Sequence, residues 1–249
     1  MFARILLPIL WLFASCSPVA EDARPVSTVV DTLFSGGMVF DGSGSAPVAA
    51  DIGIDDGKVV FIGNAESSNI AAEDVIDAAG LWVAPGFIDA HSHAELDKDY
   101  GRDALPYLTQ GITTLVLGMD GGGSSDVAAR LDGWRENGIG ANGIHFVGHG
   151  HVREMVLGEE DREPTDDELD EMRALVRKAM EEGAFGLSSG LFYVPGTYAS
   201  TEEVIELGKV AAEFEGAIYD THDRDLGAVY EGIGYEASVE EGIRITEES

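Results

Sequence analysis

Pro85-Gly86-Phe87-Ile88-Asp89-Ala90-His91-Ser92-His93 is the stretch from which the rest of this chain can be read. Its apolar start reads as a buried strand, and residues two apart in a strand share a face. His91 and His93 therefore project together while Ser92 points away. Asp89 shares their parity and is placed to hold one ring in its metal-binding tautomer. Two imidazoles sent to one point are half of a metal site, although histidines at a strand end also occur as ordinary hydrogen-bonded residues.

On the N-terminal side of this stretch, residues 27–83 carry short apolar runs broken by Gly and Asp, such as Gly37-Met-Val-Phe40 and Lys58-Val-Val-Phe-Ile62. Asp41-Gly42 and Asp55-Asp56-Gly57 supply the turns between them, so this segment reads as a small β-unit. On the C-terminal side the pattern changes to strand, loop and helix, repeated. Strands are expected at Gly111–Leu117, Ile144–Val147, Ala184–Leu187 and Ala217–His222. Helices are expected between them, with capping boxes at Thr165/Glu168 and Ser200/Glu203, and a further helix opening at Ser238/Glu241. Strands alternating with helices pair in parallel, and helices along one side of such a sheet make a TIM-type α/β barrel. Five strands do not close that barrel, and the last helical pattern runs to Ser249. The expectation is a partial barrel of about five of eight units over residues 84–249, truncated relative to its fold.

Composition narrows the function. With 249 residues, 45% of them apolar, the chain is globular, and a formal charge of −31 makes nucleic acid a poor partner. Met1-Phe-Ala-Arg4 followed by an apolar run to Phe13 has the parts of a secretory leader, residues 1–15, too short to span a bilayer. The single cysteine, Cys16, stands at its end. Phe13-Ala-Ser-Cys16 resembles a bacterial lipobox, which implies lipid on Cys16, a polar tether over residues 16–26 and anchoring at the cell envelope, with Ser17 fitting the outer membrane.

In TIM-type barrels the chemistry lies at the C-terminal ends of the strands, where His91, His93, Asp120 and His222 all fall. Three imidazoles and a carboxylate suit one or two Zn²⁺ ions, and other divalent metals accept the same mixture. Several strings resemble the N-acyl-D-amino-acid deacylase branch of the amidohydrolase superfamily: Gly86-Phe-Ile-Asp-Ala-His-Ser-His93, Gln110-Gly-Ile-Thr-Thr-Leu-Val-Leu-Gly118, Val147-Gly-His-Gly150, Gly186-Leu-Ser-Ser-Gly-Leu-Phe-Tyr-Val-Pro-Gly196 and Tyr219-Asp-Thr-His-Asp-Arg-Asp225. The resemblance implies metal-dependent hydrolysis of the amide bond of N-acyl-D-amino acids, and makes residues 27–83 the first part of a β-sandwich flanking the barrel. It also implies that His91, His93 and His222 are metal ligands and that Tyr193 and Arg224 meet the substrate carboxylate. Where such deacylases often carry a metal-binding cysteine, this chain has Asp120. The general-base aspartate of the family would lie beyond residue 249.

Other readings stay open at this level. A cyclic-amide hydrolase of the dihydroorotase or hydantoinase kind would usually hold a modified lysine on strand four, and Ala184–Leu191 contains none. An inactive fragment that only binds metal is the third. His149 and His151 form a second spaced pair, His145 reads as structural, and Gly121-Gly-Gly123 lacks the Lys-Ser/Thr of a phosphate cradle. Ser188-Ser189 lacks the frame of a serine hydrolase.

Overall fold

The computed structural model describes residues 27–227 and 232–249; the expected leader, the tether and Cys16 lie outside them. The chain divides into two units, the first ending at Pro85 and the second running from Gly86 to Ser249.

In the first unit, β1 (Thr28–Val39), β2 (Val48–Asp55), β3 (Lys58–Gly63) and β4 (Ile70–Asp77) form a sheet in the order β3-β2-β1-β4, with β5 (Trp82–Val83) also on β1. The β1–β2 and β2–β3 pairs are antiparallel, the second across the tight turn Asp56-Gly57, and β4 and β5 run parallel to β1. Val30, Leu33, Val39 and Ile52 are buried along it. A bulge lies between Phe34 and Gly37, where Asp51 accepts from the Gly36 amide at 2.8 Å and the Ser35 hydroxyl at 3.2 Å.

The second unit is a row of parallel strands. β6 (Phe87–Asp89) pairs with β7 (Ile112–Leu117), which pairs with β8 (Asn142–His145); β9 (Val147–Gly148) pairs with β10 (Gly186–Gly190), which pairs with β11 (Ile218–His222). β8 and β9 are one strand interrupted at Phe146. Its amide donates to Leu117 O at 2.9 Å, and Phe185 N donates to His145 O at 2.8 Å, so the ladder passes through the break. Five parallel strands in sequence order, with helices between them, make this a partial TIM-type barrel preceded by part of a small β-sandwich.

Helices α2 (Val127–Asn137), α3 (His149–Leu157), α4 (Asp166–Glu181) and α5 (Thr201–Ala211) follow the strands; a short α1 (Leu105–Leu108) precedes β7, and α6 (Tyr235–Glu248) comes last. The reciprocal capping box at Thr165 and Glu168 starts α4, whose Met172, Val176, Ala179 and Met180 then face inward. These join Val147, Val152, Leu187, Leu207 and Val210 in the main core. Among the described residues no helix is long and apolar enough to cross a membrane.

Four details differ from the sequence reading. The strand carrying Phe87 and Ile88 is exposed, not buried, because β6 is an end strand with no partner on its other side among the described residues. Strand four begins at Gly186 and runs through Ser188-Ser189-Gly190, all buried, since the serine hydroxyls find partners inside. α6 starts at Tyr235, three residues before Ser238, whose side chain instead accepts from the Asp225 amide at 3.0 Å. Ser200 does cap α5, but Glu203 does not turn back to complete a box.

Glu203 points into the molecule. It accepts from His149 Nε2 at 2.8 Å and from the Arg153 guanidinium, and all three residues are buried. Burial pushes the Glu203 carboxyl up; the hydrogen bonds and charges of His149 and Arg153 outweigh this and leave it below its ordinary range. Arg153 also donates to Arg162 O at 2.6 Å and Glu160 O at 3.3 Å, tying the loop before α4 to the same point. Removing one member of a buried ion pair leaves the other without compensation, which costs about 3–5 kcal/mol. Glu203→Ala is therefore expected to lower the urea midpoint sharply, whereas Asp170→Ala, which breaks an exposed pair with Arg173, leaves it nearly unchanged.

Candidate metal centre

The turn after β6 carries the two histidines. Ser92 N donates to Val116 O at 2.9 Å and its side chain is buried, so His91 and His93 emerge on the other side with ring centroids 5.3 Å apart. The loop after β7 brings Asp120 to them. Its carboxylate spans both rings, Oδ1 lying 3.3 Å from His91 Nε2 and Oδ2 3.2 Å from His93 Nε2. The ligand atoms of the three residues lie within 4.8 Å of one another.

Asp120 has φ 55°, the left-handed region that aspartate tolerates better than most residues. The loop is held by Ser188, whose hydroxyl donates to Gly118 O at 2.5 Å and accepts from Gly121 N at 3.1 Å, and by Gly121 O, which accepts from His151 N at 2.9 Å. A Cβ on Gly190 would stand 2.2 Å from Asp120 O, so this approach requires glycine.

The donor set fits a divalent cation. Tetrahedral coordination at about 2.0–2.1 Å spaces ligand atoms about 3.3 Å apart, which is the separation seen across Asp120. Asp120 Oδ1 is buried and makes no hydrogen bond of acceptable direction, as is Asp220 Oδ2 nearby. Buried carboxylate oxygens without donors are costly unless a positive charge meets them.

The remaining expected site residues are placed as follows. His222 ends β11 opposite Gly190, with Nδ1 3.0 Å from Asp223 O and its ring 4.8 Å from that of Tyr193 and 5.4 Å from that of Phe192; it does not join the three-residue group. Tyr193 is partly exposed beside it. Arg224 is bound through Nε and Nη2 to both oxygens of Glu241 at 2.8 Å, and donates to Thr197 O and Ala199 O at 2.9 Å. Asp89 accepts from the His91 backbone amide at 3.4 Å and does not hold its ring, because the chain has already turned out of β6. The residue at that ring is Asp220, with Oδ1 3.3 Å from His91 Nδ1. Sequence reading missed it, although Asp220-x-His222 repeats the parity of Asp89-x-His91. His149 is bound through Nε2 to Glu203, and Ser189 to Tyr219 and Thr221 at 2.6 Å each; neither lies in the three-residue group.

The chain is 36% identical over 251 aligned positions to the D-aminoacylase of Alcaligenes xylosoxydans xylosoxydans, covering 92% of this chain and 49% of that protein. In sequence and structure the chain is similar to the N-acyl-D-amino-acid deacylases of the amidohydrolase superfamily. It is also 34% identical to the N-acyl-D-aspartate deacylase of the same organism, over 78% of this chain and 43% of the relative. A crystal structure of D-aminoacylase superposes with a TM-score of 0.79 at 34% identity, covering 88% of this chain and 49% of the other. The N-acyl-D-glutamate deacylase of Bordetella bronchiseptica, complexed with zinc and a phosphonate inhibitor, superposes with a TM-score of 0.78 at 32% identity, over 87% and 48%. No family model matches the chain. The chain thus spans about half the length of the curated deacylases it matches.

His145 sits behind the site, almost fully buried, with Nε2 donating to Ser124 O at 3.0 Å. Burial pushes its imidazole down to about 4, aided by the Arg130 charge and opposed by that hydrogen bond. Unfolded, the ring binds its proton near pH 6.5, so between pH 6.5 and 4 the unfolded state holds more protons and folding weakens as pH falls, by about 3 kcal/mol in all. Denaturant midpoints at pH 7, 5.5 and 4.5 check this. The advantage of the parent over His145→Asn is expected to shrink with falling pH, and a pH-independent difference would contradict it.

Proposed function

We propose that this chain carries the metal-binding part of an enzyme that hydrolyses the amide bond of N-acyl-D-amino acids, releasing a carboxylate and a D-amino acid. The observation behind this is the Asp120 carboxylate shared between two imidazole Nε2 atoms at 3.2–3.3 Å, on a chain similar to the deacylases. His91, His93 and Asp120 would hold one or two Zn²⁺ ions, with His222 as a further ligand from strand five. Bound there, zinc supplies a Lewis acid for the acyl carbonyl and makes water acidic enough to serve as nucleophile. Asp120 gives a harder oxygen than cysteine would, which widens the range of metals the site takes.

Tyr193, next to His222, is suited to the substrate carboxylate. For Arg224 the same role requires exchange of Glu241, its present bidentate partner, for the carboxylate of the substrate. We also propose that Cys16 is lipidated and anchors the protein to the outer membrane, facing the periplasm. The support is the leader-like run ending at the sequence's one cysteine.

Elemental analysis of a full-length version carrying this chain, paired with deacylation assays on N-acetyl-D- and N-acetyl-L-amino acids, tests the enzyme reading. Asp120→Ala is expected to lose metal and turnover, and Asp120→Cys to keep part of both. Arg224→Ala is expected to keep its metal and to raise KM mainly. Full metal content and turnover in Asp120→Ala would remove Asp120 from the site. Equal turnover of the two enantiomers would overturn the D-amino-acid assignment, and metal binding without any turnover would leave a metal-binding fragment. For the anchor, intact mass of membrane-extracted protein should show added acyl mass. A Cys16→Ala protein that still sediments with outer membranes would rule the lipid out.

A further inference from the structure

We propose that Asp220 is a positioning residue of the metal centre: it takes the Nδ1 hydrogen of His91 and so turns Nε2 of that ring toward the metal. The inference rests on the metal-centre reading above and adds a residue that neither the sequence patterns nor the relatives assign.

One imidazole lies between two carboxylates. His91 Nδ1 is 3.3 Å from Asp220 Oδ1, and Nε2 on the other side of the ring is 3.3 Å from Asp120 Oδ1. The Asp220 contact has hydrogen-bond geometry and the Asp120 Oδ1 contact does not, which places the ring hydrogen on Nδ1 and leaves the Nε2 lone pair toward Asp120 and His93. Carboxylate, histidine and metal in line is a recurrent way to fix tautomer and ring orientation. Because the two ring nitrogens diverge, Asp220 stands behind His91 and not beside Asp120.

Nothing else among the described residues claims the Asp220 side chain. Its Oδ1 meets His91, and its Oδ2 is buried without a hydrogen-bond partner. Asp89, the residue whose parity suggests this task, is occupied by the His91 amide. The register of β11 on β10, with Ser188 opposite Asp220 and Gly190 opposite His222, sets Asp220 and His222 on one face of the strand. Strand five thus brings a carboxylate to the histidine of the first strand, 129 residues earlier.

The test is Zn²⁺ affinity of the full chain by chelator competition, with circular dichroism to check the fold. Asp220→Ala is expected to weaken binding by about 10–100-fold. Asp220→Asn, which keeps an oxygen acceptor for Nδ1–H, should recover most of that loss. In a His91→Ala background Asp220→Ala should have no further effect, since a residue acting through His91 has nothing left to act on. If Asp220→Ala does not fold, Asp220→Val, which suits a strand and offers no acceptor, takes its place. Unchanged affinity in Asp220→Ala, an Asn variant as weak as the Ala variant, or an equal loss with and without His91 would each overturn the positioning role. Full affinity in His91→Ala, or no zinc binding by the parent, would overturn the metal-centre reading itself, and this proposal with it.

Discussion

Asp120 stands where it does because the loop carrying it lies in backbone contact with two neighbouring strands. Gly190 leaves no room for a side chain against Asp120 O, and a Cβ on Gly148 would come within 2.2 Å of Gly121 O. Close packing of main chain on main chain is stiff, since no side chain lies between to change rotamer. The Ser188 hydroxyl then closes the remaining gap by donating to one peptide of the loop and accepting from another. The carboxylate is thus held by glycines and a serine, and its own left-handed backbone is the residue of strain that this packing sustains.

The second organising device is ionic and lies deeper. A buried glutamate, arginine and histidine join α3, α5 and the loop before α4. Each charge there would be expensive alone, and the arrangement tolerates few alternatives. Of the His-x-His pair at 149 and 151, neither residue belongs to the His91–His93–Asp120 group among the described residues. His149 Nε2 is held by Glu203 inside that network, and the His151 amide is held by the Asp120 loop.

Much of this was legible in the sequence because it obeys short periods. The expected alternation put His91 and His93 on one side, although β6 ends at Asp89 and both sit on the turn after it; the period near 3.6 gave the inward face of α4, and alternation of strands and helices gave parallel pairing. What escaped detection depends on pairings distant along the chain. Ser-x-x-Glu at Ser200 and Glu203 has the spelling of a capping box, and only the fold puts Arg153 beneath that glutamate. Ser188-Ser189-Gly190 looks like a loop by polarity, but Gly118, Tyr219 and Thr221 meet its hydroxyls and make it the most buried strand. Asp220 reaches His91 through the curvature of the sheet from strand one to strand five, a distance no local pattern encodes. The exposure of Phe87 and Ile88 likewise follows from the position of β6 at the end of the row.

The span between His91 and Asp220 also bears on the order in which the chain can fold. His91 and Asp120 are separated by a loop that closes early and at modest entropic cost. Bringing Asp220 to the same ring closes a loop of 129 residues, roughly 1.3 kcal/mol dearer by the logarithmic law and conditional on the intervening strands having already paired. Contacts of such high sequence separation are characteristic of slow, late steps. The His91–His93–Asp120 group can thus come together from one short loop, while the carboxylate behind His91 arrives only with the assembled sheet.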